Sequence, residues 1–408
     1  MHEDSAPDSV WLPRRRLRRA LRPVWEARHD GPAEADALGT WLHGGLVVRA
    51  AYDRLRAFDI ATGEERWAWE VPGRDVLSAV CPEVVGGVGL LAHWPDTSGG
   101  REEATVTALD MASGGELWSA RHNLDALWIG GSGLQPGILG LSGERAMIAT
   151  GKGVVALDAR TGRRVWQVSY ALDGEARIAA GGGRLVLVTR KAGQARVRSV
   201  DVADGTVQWD RRLPPDSPVD RVAILAVDPT LIVVEGEGRR SPDCLLRLDA
   251  QGDVAMEMPL AGGHGTITTE PYGRADGRRW IALAGDTLLA FVVPPGLAPL
   301  TRLAGFSLST GQHRWTWGDD GGGIDALACR RGHVVALRHF EEVYQGEHLA
   351  WRCLARVLDV TYGREVAHRR LRVTRDEPYA LHVHGDRLLW VNKESGPGTP
   401  PVKAFDWR

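Results

Sequence analysis

A short motif returns along this chain: an apolar run that ends in Asp, a Gly four residues later and a Trp four residues after that. Asp59, Gly63 and Trp67 form the first full copy, and the Asp position recurs at intervals of 43 to 58 residues. Intervals of this length are too long for leucine-rich or ankyrin repeats and fit units of four β-strands. The eight positions are Asp59, Asp110, Asp158, Asp201, Asp249, Ser307, Asp359 and Asp406.

Four of the eight copies depart from the full motif, and in one of these Ser307 stands in place of Asp. Gly252 follows Asp249 one residue early and Met256 stands in place of Trp, while the copy at Asp359 has Ala367 in place of Trp. The eighth copy is divided: its apolar run, Val402–Asp406, lies at the end of the chain, and a strand with Trp25, Arg22–Glu26, lies at the start. Pairing of these two segments would close a ring and leave no free sheet edge.

Each unit also carries two alternating apolar runs before the Asp strand, with glycine-containing turns between them. Four short strands repeated eight times predict an all-β fold, a single eight-bladed β-propeller of four-stranded blades, closed by pairing of the N- and C-terminal strands. We expect a basic N-terminal arm at residues 1–20 and the propeller at residues 21–408. The last blade is then shared by residues 21–30 and 376–408.

The recurring residues have structural explanations. An Asp carboxylate accepts backbone hydrogen bonds within a turn, and Gly supplies the positive φ at the end of that turn. A Trp on the outer strand can pack against the neighbouring blade, and the burial of one such ring contributes roughly a few kcal/mol. We predict this blade-docking role, and no catalytic one, for Trp25, Trp67, Trp118, Trp166, Trp209 and Trp315.

The segments Ala61–Trp67 and Arg160–Trp166 resemble the quinoprotein (PQQ-type) propeller repeat. That repeat is shared by quinoprotein dehydrogenases and by the propeller lipoprotein of the bacterial outer-membrane assembly machine. The resemblance covers the chain from about residue 22. It is specific for the fold and implies a quinone-binding hypothesis without fixing the function.

The dehydrogenases of this family bind Ca²⁺ and the quinone in the propeller channel and carry a vicinal Cys pair. Here Cys81, Cys244, Cys329 and Cys353 are all separate, and Asn occurs only twice. No catalytic motif is present, and a metal site at His382, His384 and Asp386 is less favoured than a surface or channel-lining pair of histidines. We therefore expect a protein that is not an enzyme, with no cofactor and no metal.

The composition is that of an ordinary globular protein, with 43% hydrophobic and 25% charged residues and a net charge of −2. It excludes intrinsic disorder and argues against a nucleic-acid binder driven by overall positive charge. No apolar signal-peptide core and no lipobox cysteine follow the start, since the first Cys is Cys81. We expect a cytoplasmic bacterial protein.

Extra chain length is concentrated in the connections of one propeller face, which marks that face as the candidate binding surface. One predicted loop spans Arg338 to Leu349. The connections of this face together contain a mixture of charged and aromatic residues, which suits a protein partner. The candidate partner-binding residues are Trp94, Arg101, Glu102, Trp128, Arg239, Arg240, Tyr272, Phe340, Glu342 and Tyr344.

The N-terminal arm is the second candidate. Six arginines fall within nine residues, which suits docking on an acidic protein, RNA or an anionic membrane surface. A solvated arm, or one packed on the propeller rim through Leu17 and Leu21, is at least as well supported. The arginines are Arg14, Arg15, Arg16, Arg18, Arg19 and Arg22.

The leading hypothesis is a non-enzymatic protein–protein interaction scaffold that presents its long-loop face to partners in a multiprotein bacterial assembly. One alternative is a propeller that binds a small molecule or quinone, with dehydrogenase activity. Another is a sensor or adaptor subunit of a kinase- or ATPase-linked signalling or defence system. The expected partners are other proteins, with only weak support for nucleic acid or membrane contact through the arm.

Overall fold

The computed structural model describes most of the chain from Leu21 to Trp407. The described residues are 21–29, 33–95, 104–122, 138–150, 152–169, 176–191, 194–213, 222–234, 244–267, 281–294, 301–318, 324, 326–330, 332–344, 347–372 and 378–407. These residues form antiparallel strands and no helix, so the all-β prediction is confirmed. No helix in this part of the chain could cross a membrane.

The strands fall into eight sheets, one for each unit predicted from the sequence. Blade 1 contains β2 (Ala37–His43), β3 (Leu46–Ala51), β4 (Arg54–Asp59) and β5 (Glu65–Glu70). Blade 2 contains β6 (Asp75–Val80), β7 (Val88–Pro95), β8 (Ala104–Asp110) and β9 (Glu116–His122). Blade 3 contains β10 (Leu139–Ser142), β11 (Arg145–Thr150), β12 (Gly153–Asp158) and β13 (Arg164–Ser169). Blade 4 contains β14 (Ala176–Gly181), β15 (Arg184–Lys191), β16 (Gln194–Asp201) and β17 (Val207–Arg212).

The second half of the ring continues the pattern. Blade 5 contains β18 (Val222–Val227), β19 (Thr230–Val234), β20 (Cys244–Leu248) and β21 (Val254–Pro259). Blade 6 contains β22 (Ala261–Gly262), β23 (Gly265–Ile267), β24 (Ile281–Ala284), β25 (Thr287–Val293), β26 (Arg302–Ser307) and β27 (His313–Trp317). Blade 7 contains β28 (Ala326–Arg330), β29 (His333–Tyr344), β30 (Glu347–Asp359) and β31 (Glu365–Leu371). Blade 8 contains β32 (Pro378–His384), β33 (Arg387–Asn392), β34 (Val402–Asp406) and β1 (Pro23–Glu26).

The first strands of successive blades contact one another, as β10 does with β14 and β28 does with β32, so these strands surround the central axis. Strands follow one another outward within a blade, in the order β2-β3-β4-β5 for blade 1. The turns between strands one and two and between strands three and four therefore share one face, here called the short-turn face. The connections between strands two and three, and those between blades, share the other, here called the long-connection face.

Blade 8 closes the ring as predicted. The N-terminal strand β1 pairs antiparallel with β34 of the C-terminal segment, with Trp25 opposite Ala404 and Glu26 opposite Lys403. Ala27 extends the pairing by donating its N–H to the carbonyl of Val402 at 2.9 Å. The fourth strand of this blade thus comes from the far end of the chain, and the sheet order β1-β34-β33-β32 completes the eighth blade.

The core lies between blades, because each sheet buries both of its faces against its neighbours. Ile232 on β19 packs in a cluster with Val186 and Val188 of blade 4, whereas Leu231 packs in a cluster with Leu288 of blade 6. Successive side chains of a strand point to opposite faces, so the two neighbouring residues serve the two adjacent blades. This is why the central strands read as continuous apolar runs rather than alternating ones.

Blade 6 departs from the simple four-strand pattern. Its second strand, β25, pairs with β24 through residues Thr287 to Ala290 and with β23 through Val292 and Val293. The innermost position of this blade is therefore shared by two short strands, with β22 and β23 forming an additional small hairpin. The sequence did not predict this division.

Candidate functional site

The motif tryptophans occupy the junctions between blades. In five blades the indole N–H donates to the carbonyl of the residue that follows the motif Asp, or its equivalent, in the next blade. These hydrogen bonds are Trp25 to Ile60 at 3.0 Å, Trp67 to Met111 at 3.1 Å, Trp118 to Ala159 at 2.8 Å, Trp166 to Val202 at 2.9 Å and Trp315 to Val360 at 3.0 Å. Trp209 lies at the same junction, but its N–H has no acceptor among the described residues.

The motif glycines lie against the tryptophan rings. Gly114 has a φ of 72°, and a Cβ built on it would lie 2.6 Å from the ring of Trp67. Glycine is required there for two reasons: residues with a side chain rarely adopt this φ, and the tryptophan ring of the preceding blade fills the space that a side chain would need.

The motif aspartates hold the turns. The carboxylate of Asp158 accepts hydrogen bonds from the Thr161 hydroxyl at 2.8 Å and from the backbone N–H groups of Arg160 and Thr161. The bond from the Thr161 hydroxyl, together with these backbone donors, lowers the pKa of Asp158. A carboxyl group held ionised within a turn has a structural role and is a poor general acid.

The described residues contain no group of three His, Cys, Asp or Glu side chains that could hold a metal ion. His382 and His384 lie on β32, and Asp386 lies in the turn that follows. Asn392, one of only two asparagines, is fully buried and accepts a hydrogen bond from the Trp390 indole at 2.6 Å. Its amide nitrogen donates to the carbonyl of Pro400, so this side chain holds the connection between β33 and β34.

Blade 2 contains a chain of hydrogen-bonded polar side chains that the sequence did not predict. Asp75 lies 2.7 Å from Nδ1 of His93, whose Nε2 lies 3.2 Å from the hydroxyl of Thr107, and that hydroxyl lies 3.2 Å from the hydroxyl of Ser119. The order acid, imidazole, hydroxyl is that of a nucleophilic triad. Thr107 is fully buried, however, so no substrate could reach its hydroxyl. The chain crosses all four strands of the blade and acts as an internal tie.

The long-connection face carries the predicted partner-binding residues, and the structure describes part of it. Trp94 is half-buried near the end of β7, beside that face, and packs against the core of blades 2 to 4. Arg22 follows Leu21, whose backbone pairs with Leu371 at the outer strand of blade 7. The others lie outside the described residues: Arg14, Arg15, Arg16, Arg18, Arg19, Arg101, Glu102, Trp128, Arg239, Arg240 and Tyr272.

The predicted loop from Arg338 to Leu349 is a β-ribbon instead, so that prediction was wrong. β29 and β30 stay paired out to Tyr344 and Glu347, which places Phe340, Glu342 and Tyr344 on a strand. β28 stops pairing with β29 at Leu337, and β31 stops pairing with β30 at Cys353. Residues 340–344 and 347–352, here called the blade 7 ribbon, therefore extend past their blade on the long-connection face, by about 17 Å at ~3.3 Å per residue.

A buried charge cluster lies at the ring closure, on the same face. The Glu34 carboxylate lies between blades 8 and 1 and accepts hydrogen bonds from Arg49 at 2.9 Å, Arg56 at 2.7 Å and Ser395 at 2.6 Å. Arg49 is 2% exposed and also donates to the carbonyl oxygens of Asn392 and Lys393. Residues from both ends of the chain are thus joined through one carboxylate.

Opposing effects act on the ionisation of Glu34. Burial alone would raise the pKa of this carboxyl group, but the hydrogen bonds from Ser395 and Arg56 and the positive charges of Arg49 and Arg56 outweigh it and lower the pKa. The sequence held one signal of this cluster, since Arg49 interrupts the apolar run Leu46–Ala51. A buried arginine needs an acidic or carbonyl partner.

A cavity of about 780 Å³ opens beside this cluster, between the outer strands of blades 8 and 1. Its lining includes Glu26, Arg28, Arg54, Glu64 and Glu70, so charges of both signs surround it. Because charges of both signs line the cavity, it favours neither an anionic nor a cationic ligand. The charged groups at the base of the cavity are already paired with one another.

The fold is shared with solved structures of low sequence identity. BamB from Moraxella catarrhalis is 16% identical, with a TM-score of 0.56 over 95% of this chain and 99% of that chain. The computationally designed Ika8 protein is 13% identical, with the same TM-score and coverage. A europium-containing methanol dehydrogenase is 13% identical, with a TM-score of 0.42 over 94% of this chain and 80% of that chain. The two matches with a TM-score of 0.56 bear out the prediction of an eight-bladed propeller.

No curated protein matches this sequence. A family model does match, over residues 102–316, which is slightly more than half of the chain. Its description is outer membrane protein assembly factor BamB, in agreement with the PQQ-type repeat motif of the sequence. This chain therefore belongs to the BamB-like family of PQQ-type β-propellers.

Proposed function

We propose that this protein is a non-enzymatic scaffold that presents its long-connection face to partner proteins in a multiprotein bacterial assembly. The observation that carries the proposal is the blade 7 ribbon, which extends past its blade on that face. A propeller needs no such extension to close its ring or to bury its core.

Both outer edges of the blade 7 ribbon carry backbone N–H and C=O groups that no described strand pairs. Free strand edges accept an added strand from another protein. The sequence of the ribbon includes Phe340, Tyr344 and Trp351 together with Glu341 and Glu342. Aromatic residues are enriched at protein interfaces, so both backbone and composition favour a protein over a small molecule.

The family description supports protein partners in general, because an assembly factor for outer membrane proteins acts on other proteins. The non-enzymatic part of the proposal rests on the use of the polar groups. The motif aspartates, His93 and Asn392 are each engaged in holding the fold. Glu34 is likewise held by three donors at the ring closure.

The test is replacement of residues 340–352 by a two-residue Asn-Gly turn, which shortens the blade 7 ribbon to the level of its blade. We expect wild-type protein isolated from its native host to carry a partner in fixed stoichiometry and the shortened variant to lose it, with an unchanged circular dichroism spectrum. Tyr362, which is 67% exposed on the short-turn face, provides the matched control as Tyr362→Ser. Recovery of wild-type protein alone, or retention of the partner by the shortened variant, would contradict the proposal.

The cytoplasm is the proposed location. None of the four cysteines, all within the described residues, forms a disulfide, and Cys81, Cys244 and Cys353 are buried, as suits a reducing compartment. Cell fractionation of the native host with an antibody against the propeller tests this. Recovery in a membrane or periplasmic fraction would contradict it.

A further inference from the structure

The junction between blades 4 and 5 differs from the other tryptophan junctions. In blade 4 the turn closes with a hydrogen bond from Asp201 N–H to the carbonyl of Thr206, whereas in blade 5 Asp249 N–H bonds the carbonyl of Asp253. The blade 5 turn is thus one residue shorter, as the early Gly252 indicates in the sequence.

The shorter turn leaves Trp209 without its usual acceptor. The ring still packs on Gly252, where a Cβ would lie 2.5 Å away, and the residue is 6% exposed. Its indole N–H is buried and has no hydrogen-bond partner in the part of the chain that the structure describes, although the corresponding N–H binds a carbonyl in five other blades. A buried donor without a partner is unfavourable, so this junction retains a destabilising feature that the other tryptophan junctions lack.

A cavity of about 650 Å³ opens at the same place, between β17 and the shortened turn. Trp209 lines it together with Arg184, Gln208 and Arg211 of blade 4, and Ala250 and Gln251 of the turn form the opposite wall. A smaller cavity of about 240 Å³ shares Arg184 and Ala250 with it and extends along blade 5 to Arg247. The Nε atom of Arg247 is also buried and binds no acceptor within the described ranges.

The arginines at the cavity bind backbone carbonyls and exposed aspartates. Arg184 donates to the carbonyl of Val227 at 3.1 Å and lies 3.5 Å from Asp228. Arg211 donates to the carbonyl of Asp210 at 3.3 Å and to Asp253 at 3.1 Å. The side chains of Asp228 and Asp253 are 77% and 67% exposed. Exposed ion pairs of this kind contribute little to stability, so a bound anion can replace the aspartates. Guanidinium and indole N–H groups are donors only, so the buried N–H of Trp209, which no described group accepts, can be satisfied only by an acceptor that a ligand supplies.

We propose that the cleft between blades 4 and 5 is a binding site for an oxyanion, the carboxylate or phosphate group of a small ligand. One oxygen of the anion accepts the N–H of Trp209, and the others accept from Arg184 and Arg211. The anion takes the place that the Ala250 carbonyl would fill in a turn of full length. This site lies on the short-turn face and does not depend on the scaffold proposal.

The probes are succinate for the carboxylate and inorganic phosphate for the phosphate group, titrated into ¹⁵N-labelled protein. The readout is the indole N–H resonance of Trp209, assigned by its loss in Trp209→Phe. We expect a saturable shift with one probe or both, which identifies the preferred anion. Arg184→Gln and Arg211→Gln should each weaken binding about tenfold, as loss of one charged hydrogen bond does.

Two matched variants distinguish anion binding in the cleft from nonspecific binding of anions to the protein surface. Insertion of Thr between Gln251 and Gly252 restores the turn length of the other blades, and it should abolish binding and raise the melting temperature. Arg66→Gln removes an exposed charge beside Trp67, at a junction with a turn of full length, and should leave binding unchanged. An unmoved Trp209 resonance in both titrations, or equal binding by the insertion variant, would overturn the proposal.

Discussion

The residue that pairs across the sheet with each motif tryptophan is small, and this small residue belongs to the blade-docking motif as much as the tryptophan does. Ala57 pairs across the sheet with Trp67, and Gly305 pairs with Trp315, where a Cβ would overlap the indole ring. Where the tryptophan is replaced, the opposite residue is large: Arg247 faces Met256 and Val357 faces Ala367. Direct cross-strand neighbours must fit one another, so ring and small residue form one unit. The opposite residues at the tryptophans are Ala57, Ala108, Ala156, Ser199, Gly305 and Ala404.

Substitution of Gly114 by Ala separates the two reasons for a motif glycine. We expect Gly114→Ala to lower the free energy of unfolding by about 2–4 kcal/mol, because backbone strain at positive φ adds to overlap with the Trp67 ring. Gly143→Ala is the control: its φ is 58°, and nothing lies within 4 Å of a Cβ there. It should cost about 1 kcal/mol from strain alone. Urea unfolding of both variants measures the difference, and equal losses would show that the ring contact contributes nothing.

The lowered pKa of Glu34 has a defined consequence for stability. Its contribution is fully present above the ordinary glutamate pKa and is lost as the pH falls through the lower pKa of the folded state. Glu34→Gln should flatten this part of the acid unfolding curve and, at neutral pH, destabilise the protein by about 3–5 kcal/mol, because the buried Arg49 loses the carboxylate to which it is directly bonded. Unfolding free energies between neutral and acidic pH test it. Glu65→Gln, at a partly exposed pair with Arg56, should change little.

Sequence distance explains why the repeat motif did not predict the buried charge cluster around Glu34. Glu34 and Ser395 are separated by 361 positions, and neither belongs to the repeat motif. The motif revealed the blades because each copy repeats the same local chemistry. The charge cluster occurs only once among the described residues, so no repetition marks it in the sequence. Its one sequence signal is Arg49, which lies within an apolar strand and therefore needs a charged or carbonyl partner.

At the level of elements, turn and strand chemistry explains why the motif turns were predicted correctly and why the blade 7 ribbon was predicted as a loop. The motif turns end in a bulge, as between Ala57 and Phe58, and their glycines have positive φ, as predicted. In the blade 7 ribbon the register shifts between Glu342 and Val343. That shift interrupts the period of two by which strands are recognised, so the segment Phe340–Tyr344 resembled a loop.

The polar chain of blade 2 should behave as a tie between strands rather than as a reactive group. We expect Thr107→Val to destabilise the protein by about 1–3 kcal/mol, because His93 and Ser119 lose the hydroxyl that joins them. Thr105→Val, two residues earlier on the same strand, is the control and should be close to neutral. Thermal unfolding of the two variants distinguishes them, and equal stabilities would show that the chain contributes no free energy.

At the scale of the whole molecule, a ring is stable only if its last blade is complete. Blade 8 depends on β1, a strand of four residues that supplies its outer edge. Trp25 on that strand docks on Gly63 and bonds Ile60 of blade 1, so β1 completes blade 8 and also joins it to the next blade. The repeat motif predicted this closure from the divided eighth copy, since no other segment supplied the missing tryptophan strand.

Two truncations that differ by six residues test whether β1 closes the ring. Removal of residues 1–20 leaves β1 in place, and we expect monomeric protein with nearly full stability. Removal of residues 1–26 deletes β1 and with it the Trp25 contact, worth roughly a few kcal/mol, and it exposes the edge of β34. The shorter protein should melt at a lower temperature and self-associate in size-exclusion chromatography, and a peptide of residues 21–29 added in trans should reverse both changes. If the two truncated proteins were equally stable and monomeric, β1 would not be what closes the ring.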